Sequence, residues 1–131
     1  MANGMYTVAK EAFISGNLDL VNDTIQCRLV EDDYTYSAAH TSMTPVTKVT
    51  GSTDQTLASK TVTDGIFDAA DPTYTAVPGG GDAVTGVVIF KFVTNDAGST
   101  PIVYLELVDV TTNGSDITVN FDTGANKVFA I

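Results

Sequence analysis

The sequence is poor in the residues that build cross-links and metal sites. It contains one cysteine, one histidine and no tryptophan among its 131 residues. A single cysteine excludes an internal disulfide and is typical of a reducing compartment. Because no further histidine or cysteine lies near His40, we do not expect it to bind a metal.

Positive charge is scarce as well. Six basic residues against sixteen acidic ones give a net charge of −10, which would repel a phosphate backbone, so we expect no direct binding of nucleic acid. No apolar run approaches the roughly 18 residues of a membrane span, and residues 1–16 lack a basic region followed by a long apolar one. We therefore expect a soluble protein, made in the cytosol, with no membrane partner.

The residues that are present indicate a β-rich domain. Charged residues make up 17% of the chain, below the roughly 25% usual in soluble domains, while threonine and valine are abundant. A chain of this length suits one domain, 1–131, that buries roughly two-thirds of its unfolded surface. We predict a mainly β fold: a single-domain antiparallel β-sandwich with one short N-terminal helix and long loops.

Two apolar strands dominate residues 83–110, with the sequences VTGVVIFKFV and PIVYLELVDV joined by the turn NDAGST. Both faces of the first strand are apolar, because Val88 and Phe90 point to one side while Val87 and Ile89 point to the other. A strand of this kind must be covered on both faces. We predict that a second sheet, built from the shorter strands before and after this pair, covers one face, with a neighbouring subunit as the alternative.

The N-terminal segment, residues 1–22, is predicted to contain the helix. Apolar residues recur there with helical spacing over residues 5–15, and Gly16 offers a stop. We interpret this helix as a cap on the sheet, although its apolar stripe is equally compatible with docking on a neighbour.

A half-buried strand and a long loop follow. Residues 24–30 alternate, with Cys27 facing inward as a small core residue and Arg28 facing outward. Residues 31–55 keep neither the helical nor the strand period and indicate a long surface excursion, either ordinary loop variation or a segment ordered by a partner. Together with the helix, it supplies the candidate interface residues Met5, Tyr6, Phe13, Tyr34, Tyr36, His40 and Met43.

Short strands are predicted at residues 57–63, 66–67 and 74–77. The carboxylates of Asp64, Asp68 and Asp71 are not spaced like those of a calcium-binding loop, so we interpret them as solvated turn residues. The run PGGGD leads into a strand and lacks a GK[ST] ending, which indicates a flexible connector rather than a phosphate-binding loop.

One stretch near the end, NFDTGAN, resembles the signature of aspartic proteases. That chemistry needs two carboxylates that share one proton across a cleft. The chain has a single DTG, at residues 122–124, and only seven residues follow it. A hairpin in which Gly124 takes a positive φ is the better supported interpretation, with a protease as a remote alternative.

Four blocks of the chain resemble a family of small structural proteins encoded by tailed bacteriophages and prophages. They are EAFISGNLDLVNDTIQCRLVEDDYTY (11–36), SKTVTDGIFDAADPTYTAV (59–77), GVVIFK (86–91) and NGSDITVNFDTGANKVFAI (113–131). Members of that family usually show a helix, a G-x-(I/L)-D-L-x-x-D-T-I run, a T-hydrophobic-x-x-G-x-F-D-A-x-D segment and a terminal D-I-T-V hairpin, in this order.

The resemblance implies a virion component, not an enzyme. Proteins of this kind sit beside capsid genes and are best explained as capsid decoration or cement proteins, with no catalytic, cofactor-binding or metal-binding residues and no cofactor. The expected partner is the major capsid protein, on the capsid exterior, and the expected state is a homo-oligomer, with a trimer favoured. The alternatives are a tail or adaptor component, or a receptor-binding module with an exposed cluster of Tyr34, Tyr36 and Tyr74.

Overall fold

The computed structural model describes residues 4–79, 83–107, 110, 112–121 and 129–130. Its elements in chain order are β1 (Gly4–Met5), α1 (Thr7–Ser15), β2 (Ile25–Glu31), β3 (Gln55–Thr56), β4 (Thr61–Thr63), β5 (Ile66–Asp68), β6 (Thr73–Tyr74), β7 (Val84–Val93), β8 (Asn95–Glu106), β9 (Ile117–Thr118) and β10 (Phe129–Ala130). Every strand pairing among them is antiparallel. The prediction of a mainly β fold with one short N-terminal helix is confirmed.

A five-stranded sheet carries the fold, in the order β1-β8-β7-β2-β3. The long strands β7 and β8 lie at its centre, as the two apolar runs predict. Two smaller sheets have the orders β10-β5-β4 and β6-β9. The described strands outside the main sheet therefore form two small sheets, where the sequence predicted one continuous second sheet.

The turn between β7 and β8 is tighter than predicted. Strand β7 ends at Val93 and β8 already begins at Asn95, with Thr94 between them at a φ of 58°. The Asn95 side chain accepts a hydrogen bond from the Gly98 N–H at 3.0 Å. The Ser99 hydroxyl donates to the Asn95 carbonyl at 2.7 Å and accepts from the Val93 N–H at 3.0 Å. The predicted turn NDAGST belongs to β8, because these side chains hold it against the end of β7.

Three register shifts, typical of β-bulges, interrupt the pairing of β7. One lies opposite Val30 and Glu31 of β2. The other two lie within the pairing with β8, between Ile89 and Phe90 and between Lys91 and Val93. Val84 and Ile102 consequently pack with Val87, although strict alternation placed them on the opposite face.

One face of the main sheet is covered by the helix and the small sheets. Ala9 of α1, Phe67 of β5 and Tyr74 of β6 pack there with Val87 of β7. We call this cluster the inner core; its fully buried members on the main sheet are Ile25, Cys27, Leu29, Val87, Ile89 and Ile102. The short strands before and after the central pair thus contribute to the cover of this face, as predicted.

The opposite face is covered by the segment between β2 and β3, all of whose residues the structure describes and none of which lies in a helix or strand. Tyr34, Met43 and Val46 of this segment are buried against Val88 and Phe90. We call this second cluster the outer core. The prediction of a long segment without regular structure over residues 31–55 agrees with this arrangement up to Asp54. Its role as a cover for the second apolar face was not predicted, because its apolar side chains are irregularly spaced and give no period.

Arg28 ties this covering segment to the sheet. It was predicted to face outward, but its face of β2 is covered and it is only 3% exposed. Its guanidinium donates to Asp54 at 2.8 and 3.0 Å, to Asp96 at 2.7 and 3.3 Å, and to the Val46 carbonyl at 2.8 Å. It also lies 5.3 Å from the centre of the Phe90 ring. Burial alone lowers the pKa of Arg28, but the hydrogen bonds that it donates to the two carboxylates raise the pKa above its ordinary value, so Arg28 stays charged.

Helix α1 ends as the sequence predicts. Gly16 takes a φ of 79° at its C-terminus, where the Gly16 N–H donates to Phe13 at 3.3 Å and the Asn17 N–H donates to Ala12 at 2.8 Å. The helix packs against β8 at one side of the main sheet. Within the described ranges, no helix has the length and apolar character needed to cross a membrane.

Phe90→Ala is expected to lower the free energy of unfolding by about 3–5 kcal/mol, because it opens a cavity in the outer core. Phe92 lies two residues further along β7 and is 38% exposed, so Phe92→Ala should cost about 1 kcal/mol or less. Urea denaturation of both variants measures the two losses. Equal, small losses would show that Phe90 lies at an interface and not in the core.

Arg28→Ala should lower the free energy of unfolding by about 3 kcal/mol, because it leaves the half-buried Asp54 carboxylate and the buried Val46 carbonyl without their donor. Lys48 lies in the same covering segment with its side chain exposed, and Lys48→Ala should change stability by less than about 0.5 kcal/mol. The same denaturation experiment compares them. An Arg28→Ala variant as stable as Lys48→Ala would contradict the role of Arg28 as the tie.

Candidate functional site

Most of the candidate interface residues lie together at the outer core. The residues brought together in this way are Met5, Tyr6, Tyr34, Tyr36, His40 and Met43. Met5 takes part through its backbone carbonyl, since its side chain packs against the inner core. Phe13 lies elsewhere, near the C-terminal end of α1.

A chain of hydrogen bonds links β1 and the helix start to the covering segment. The hydroxyls of Tyr6 and Tyr34 lie 2.6 Å apart, and the Tyr34 hydroxyl lies 2.9 Å from Nδ1 of His40. The backbone adds a further link, because the Thr7 N–H donates to the Ala38 carbonyl at 3.0 Å. These bonds fix residues 34–40 against the first turn of the helix.

Tyr36 packs against strand β1 and donates a hydrogen bond to it. Its hydroxyl donates to the Met5 carbonyl at 3.0 Å, and its ring occupies the space of a Gly4 side chain, since a Cβ on Gly4 would lie 2.5 Å from it. The ring also stacks on Tyr104 with centroids 5.7 Å apart and meets Tyr6 edge-on at 5.0 Å. Glycine at position 4 therefore allows the close approach of this ring.

Burial divides this aromatic group into an interior and a surface. Tyr6 and Met43 are fully buried and Tyr34 nearly so, whereas Tyr36 and His40 are half-buried. A partner at this surface would contact Tyr36 and His40 and rest on the others indirectly. The interface role of the set stays a prediction.

Tyr34, Tyr36 and Tyr74 do not form the exposed cluster that the alternative of a receptor-binding module requires. Tyr74 is 1% exposed, belongs to the inner core and donates its hydroxyl to the Cys27 carbonyl. Tyr34 is buried as well. The prediction that Tyr34, Tyr36 and Tyr74 form an exposed group was wrong, because two of the three rings supply apolar area to the two cores.

Cys27, the single thiol of the chain, is a core residue as predicted. It is fully buried in the inner core, and burial raises the pKa of the Cys27 thiol to about 12. At neutral pH it is therefore protonated as well as inaccessible, which disfavours a nucleophilic role.

Phe13 lines an apolar depression between the end of α1, the turn that follows it and β4. The depression has a volume of about 410 Å³, with Leu18 and Val21 on one side and Val62 on the other. Val62 is 51% exposed and Val21 is 44% exposed, and the neighbouring Ile14 is 88% exposed. We call this feature the helix depression. Three exposed apolar side chains therefore lie in or next to this depression.

A second depression, of about 310 Å³, lies on the hairpin formed by β4 and β5. It is lined by Thr61, Thr63, Asp64, Ile66 and Asp68, and we call it the hairpin depression. Of the residues that line the two depressions, the sequence predicted only Phe13 as a candidate site residue. The signal that could have indicated the others is Val62, an apolar residue between two threonines and directly before an Asp-Gly turn. This pattern is typical of a hairpin strand with one open side.

The G-x-L-D-L-x-x-D-T-I run, which carries part of the family resemblance, is used to build the scaffold. Gly16 ends the helix with its positive φ, and Leu18 and Leu20 pack into the inner core. The Asp23 carboxylate accepts the Asp19 N–H at 2.8 Å and closes the turn between them. These residues thus have structural roles that account for the motif.

The three acids considered for calcium have local roles as well. Asp64 occupies the turn after β4 at a φ of 56°. Asp68 accepts the Ala69 N–H at 2.9 Å, and Asp71 accepts the Phe121 N–H at 2.9 Å. Across the described ranges, no group of three or more histidine, cysteine or acidic side chains is placed to hold a metal ion.

Two sequence features fall largely outside the described residues. They are the DTG motif at residues 122–124 and the centre of the PGGGD run at residues 80–82. Near the end of the chain, Phe129–Ala130 form the short strand β10, which pairs with β5.

Burial raises the pKa of all five tyrosines, and in Tyr6 and Tyr74 it is joined by the effect of neighbouring groups. Their stabilising contribution is therefore complete below the ordinary tyrosine pKa of about 10 and is lost as the pH rises above it, since the unfolded chain ionises first. We expect tyrosinate absorbance to appear together with loss of circular dichroism in an alkaline titration. Ionisation of the buried tyrosines near pH 10 in a chain that stays folded would contradict this.

No family model, curated protein or solved structure matches this chain. What can be inferred of its function rests on its own residues: the four sequence blocks, the acidic charge, the aromatic group around Tyr36 and the two depressions beside β4.

Proposed function

We propose that this chain is a structural protein of a tailed-phage virion, most specifically a capsid decoration or cement protein. It binds the outer surface of the head at junctions between capsid subunits, as a small homo-oligomer in which a trimer is favoured, and reinforces the shell. The observation that carries the proposal is the order of the four blocks along the chain. The G-x-L-D-L-x-x-D-T-I run of the first block builds the scaffold, which supports a protein that contributes contacts and not catalysis.

The charge of the surface supports a position outside a DNA-filled shell. Arg28 is buried between two carboxylates. Lys60 donates to the Asp23 carbonyl, and Lys91 pairs with the Asp23 carboxylate at 3.3 Å. Three of the six basic residues are thus engaged within the chain, whose net charge is −10. Such a surface gains nothing from packaged DNA and can complement basic patches on a protein shell.

The construction of the domain suits reinforcement. The main sheet is covered on both faces. Arg28 joins the covering segment, through Asp54, to the start of β8, through Asp96. A module with its layers fixed in this way can transmit load between two capsid subunits without first rearranging. Its contribution would come from area buried at the junction and from contacts to more than one subunit.

The test uses particles of the phage or induced prophage that encodes the chain. Mass spectrometry should detect the protein in purified virions, and particles from a deletion mutant should bind the added protein in co-sedimentation. Purified tails serve as the matched control and should not bind it. Deletion particles should also release DNA at a lower temperature than complete ones.

Absence from virions together with no binding to deletion particles would overturn the proposal. Binding to tails and not to heads would replace it with a tail or adaptor role. Sedimentation of the isolated protein measures its oligomeric state, and a monomer would remove only the trimer from the proposal.

A further inference from the structure

Among the described residues, strand β4 has an open edge. It is the last of the described strands in its sheet, whose order is β10-β5-β4, and all three of its residues are exposed. Thr63 and Ile66 flank the two-residue turn, so they form a hydrogen-bonded pair. In an antiparallel ladder the next pair, Val62 and Phe67, is then a non-hydrogen-bonded one. The N–H and C=O groups of Val62 therefore point away from β5, toward the open edge.

The two depressions lie on opposite sides of this edge. Val62 lines the helix depression, whereas Thr61 and Thr63 line the hairpin depression. This is the alternation of a strand, and it extends to any strand added beside β4. A residue opposite Val62 would place its side chain at the apolar helix depression, and its two neighbours would place theirs at the hairpin depression.

The charges along the edge define the chemistry of an added strand. Asp64 lines the hairpin depression and Asp19 lines the helix depression, while no lysine or arginine of the described residues lines either one. Lys60, next to β4, donates to the Asp23 carbonyl. Basic side chains are therefore favoured next to the apolar one.

We propose that β4 binds an extended segment of a partner protein as an added strand, in which an apolar residue opposite Val62 is flanked by lysine or arginine. Main-chain hydrogen bonds to Val62 give affinity, and the two depressions select the alternating side chains. A second copy of the chain fits less well, because it carries the same carboxylates and a net charge of −10. On the proposed function, the partner that supplies this strand is a capsid subunit. The binding of a strand at β4 does not itself depend on the proposed function.

The experiment titrates the isotope-labelled protein with the peptide acetyl-Lys-Val-Lys-Val-Lys-amide and follows backbone amide shifts by NMR. Saturable shifts at β4, its turn and the helix depression are expected at millimolar peptide. The matched peptide with glutamate in place of lysine should give none. A peptide N-methylated at its valines should bind about tenfold more weakly, which corresponds to one lost hydrogen bond.

Variants of the protein test the same contacts from the other side. Val62→Pro removes the edge-facing N–H without touching a ladder hydrogen bond, and should weaken binding about tenfold relative to Val62→Thr, which keeps it. Asp64→Asn keeps a residue that tolerates positive φ but removes the charge, so it should weaken binding of the lysine peptide. The amide spectrum of each variant verifies folding.

Shifts spread over the acidic surface, equal binding of the N-methylated peptide, or unchanged binding by Asp64→Asn would each overturn the proposal. Since the peptide is tested on the isolated protein, the result is separate from the particle experiment. Peptide binding at β4 without particle binding would support the edge and reject only a capsid subunit as the donor.

Discussion

The fold depends on one constraint: the two central strands are apolar on both faces, and neither face can be left to water. A single short helix cannot cover them, so the rest of the chain is divided between the two sides. The helix and the small sheets take one side, around Phe67 and Tyr74, and the segment between β2 and β3 takes the other, around Tyr34 and Met43. Much of this cover has little regular structure of its own, and it is ordered by the sheet it covers.

A cover without its own ladder of backbone hydrogen bonds needs specific anchors. Arg28 supplies one through Asp54 and the Val46 carbonyl, and the tyrosine hydroxyls around His40 supply another. Both anchors are polar groups placed inside an apolar cluster, where their bonds are strong and an unpaired partner is costly. They therefore fix which residues of the segment meet the sheet, while the apolar contacts supply most of the stabilisation.

The sequence predicts what depends on neighbours along the chain. The stop at Gly16, the inward Cys27 and the two central strands follow from local spacing, and the mainly β class follows from composition. The outward orientation predicted for Arg28 was wrong, and the role of residues 31–55 as a cover was missed, because burial of the second face is decided by contacts far apart in sequence. The same limit applies to the site. Tyr36 and His40 were predicted as interface residues because they lie in the long irregular segment. Nothing in the sequence near Val62 indicates that β4 is the last of the described strands in its sheet.

The bulges along β7 limit how its neighbours can pair with it. A regular ladder can slide by two residues and recover its face pattern, whereas a bulge fits at one position and makes such a slip lose its pairing. Since β7 has register shifts toward both β2 and β8, a slip on either side is disfavoured. The central strand is thereby held to a single alignment with both of its neighbours.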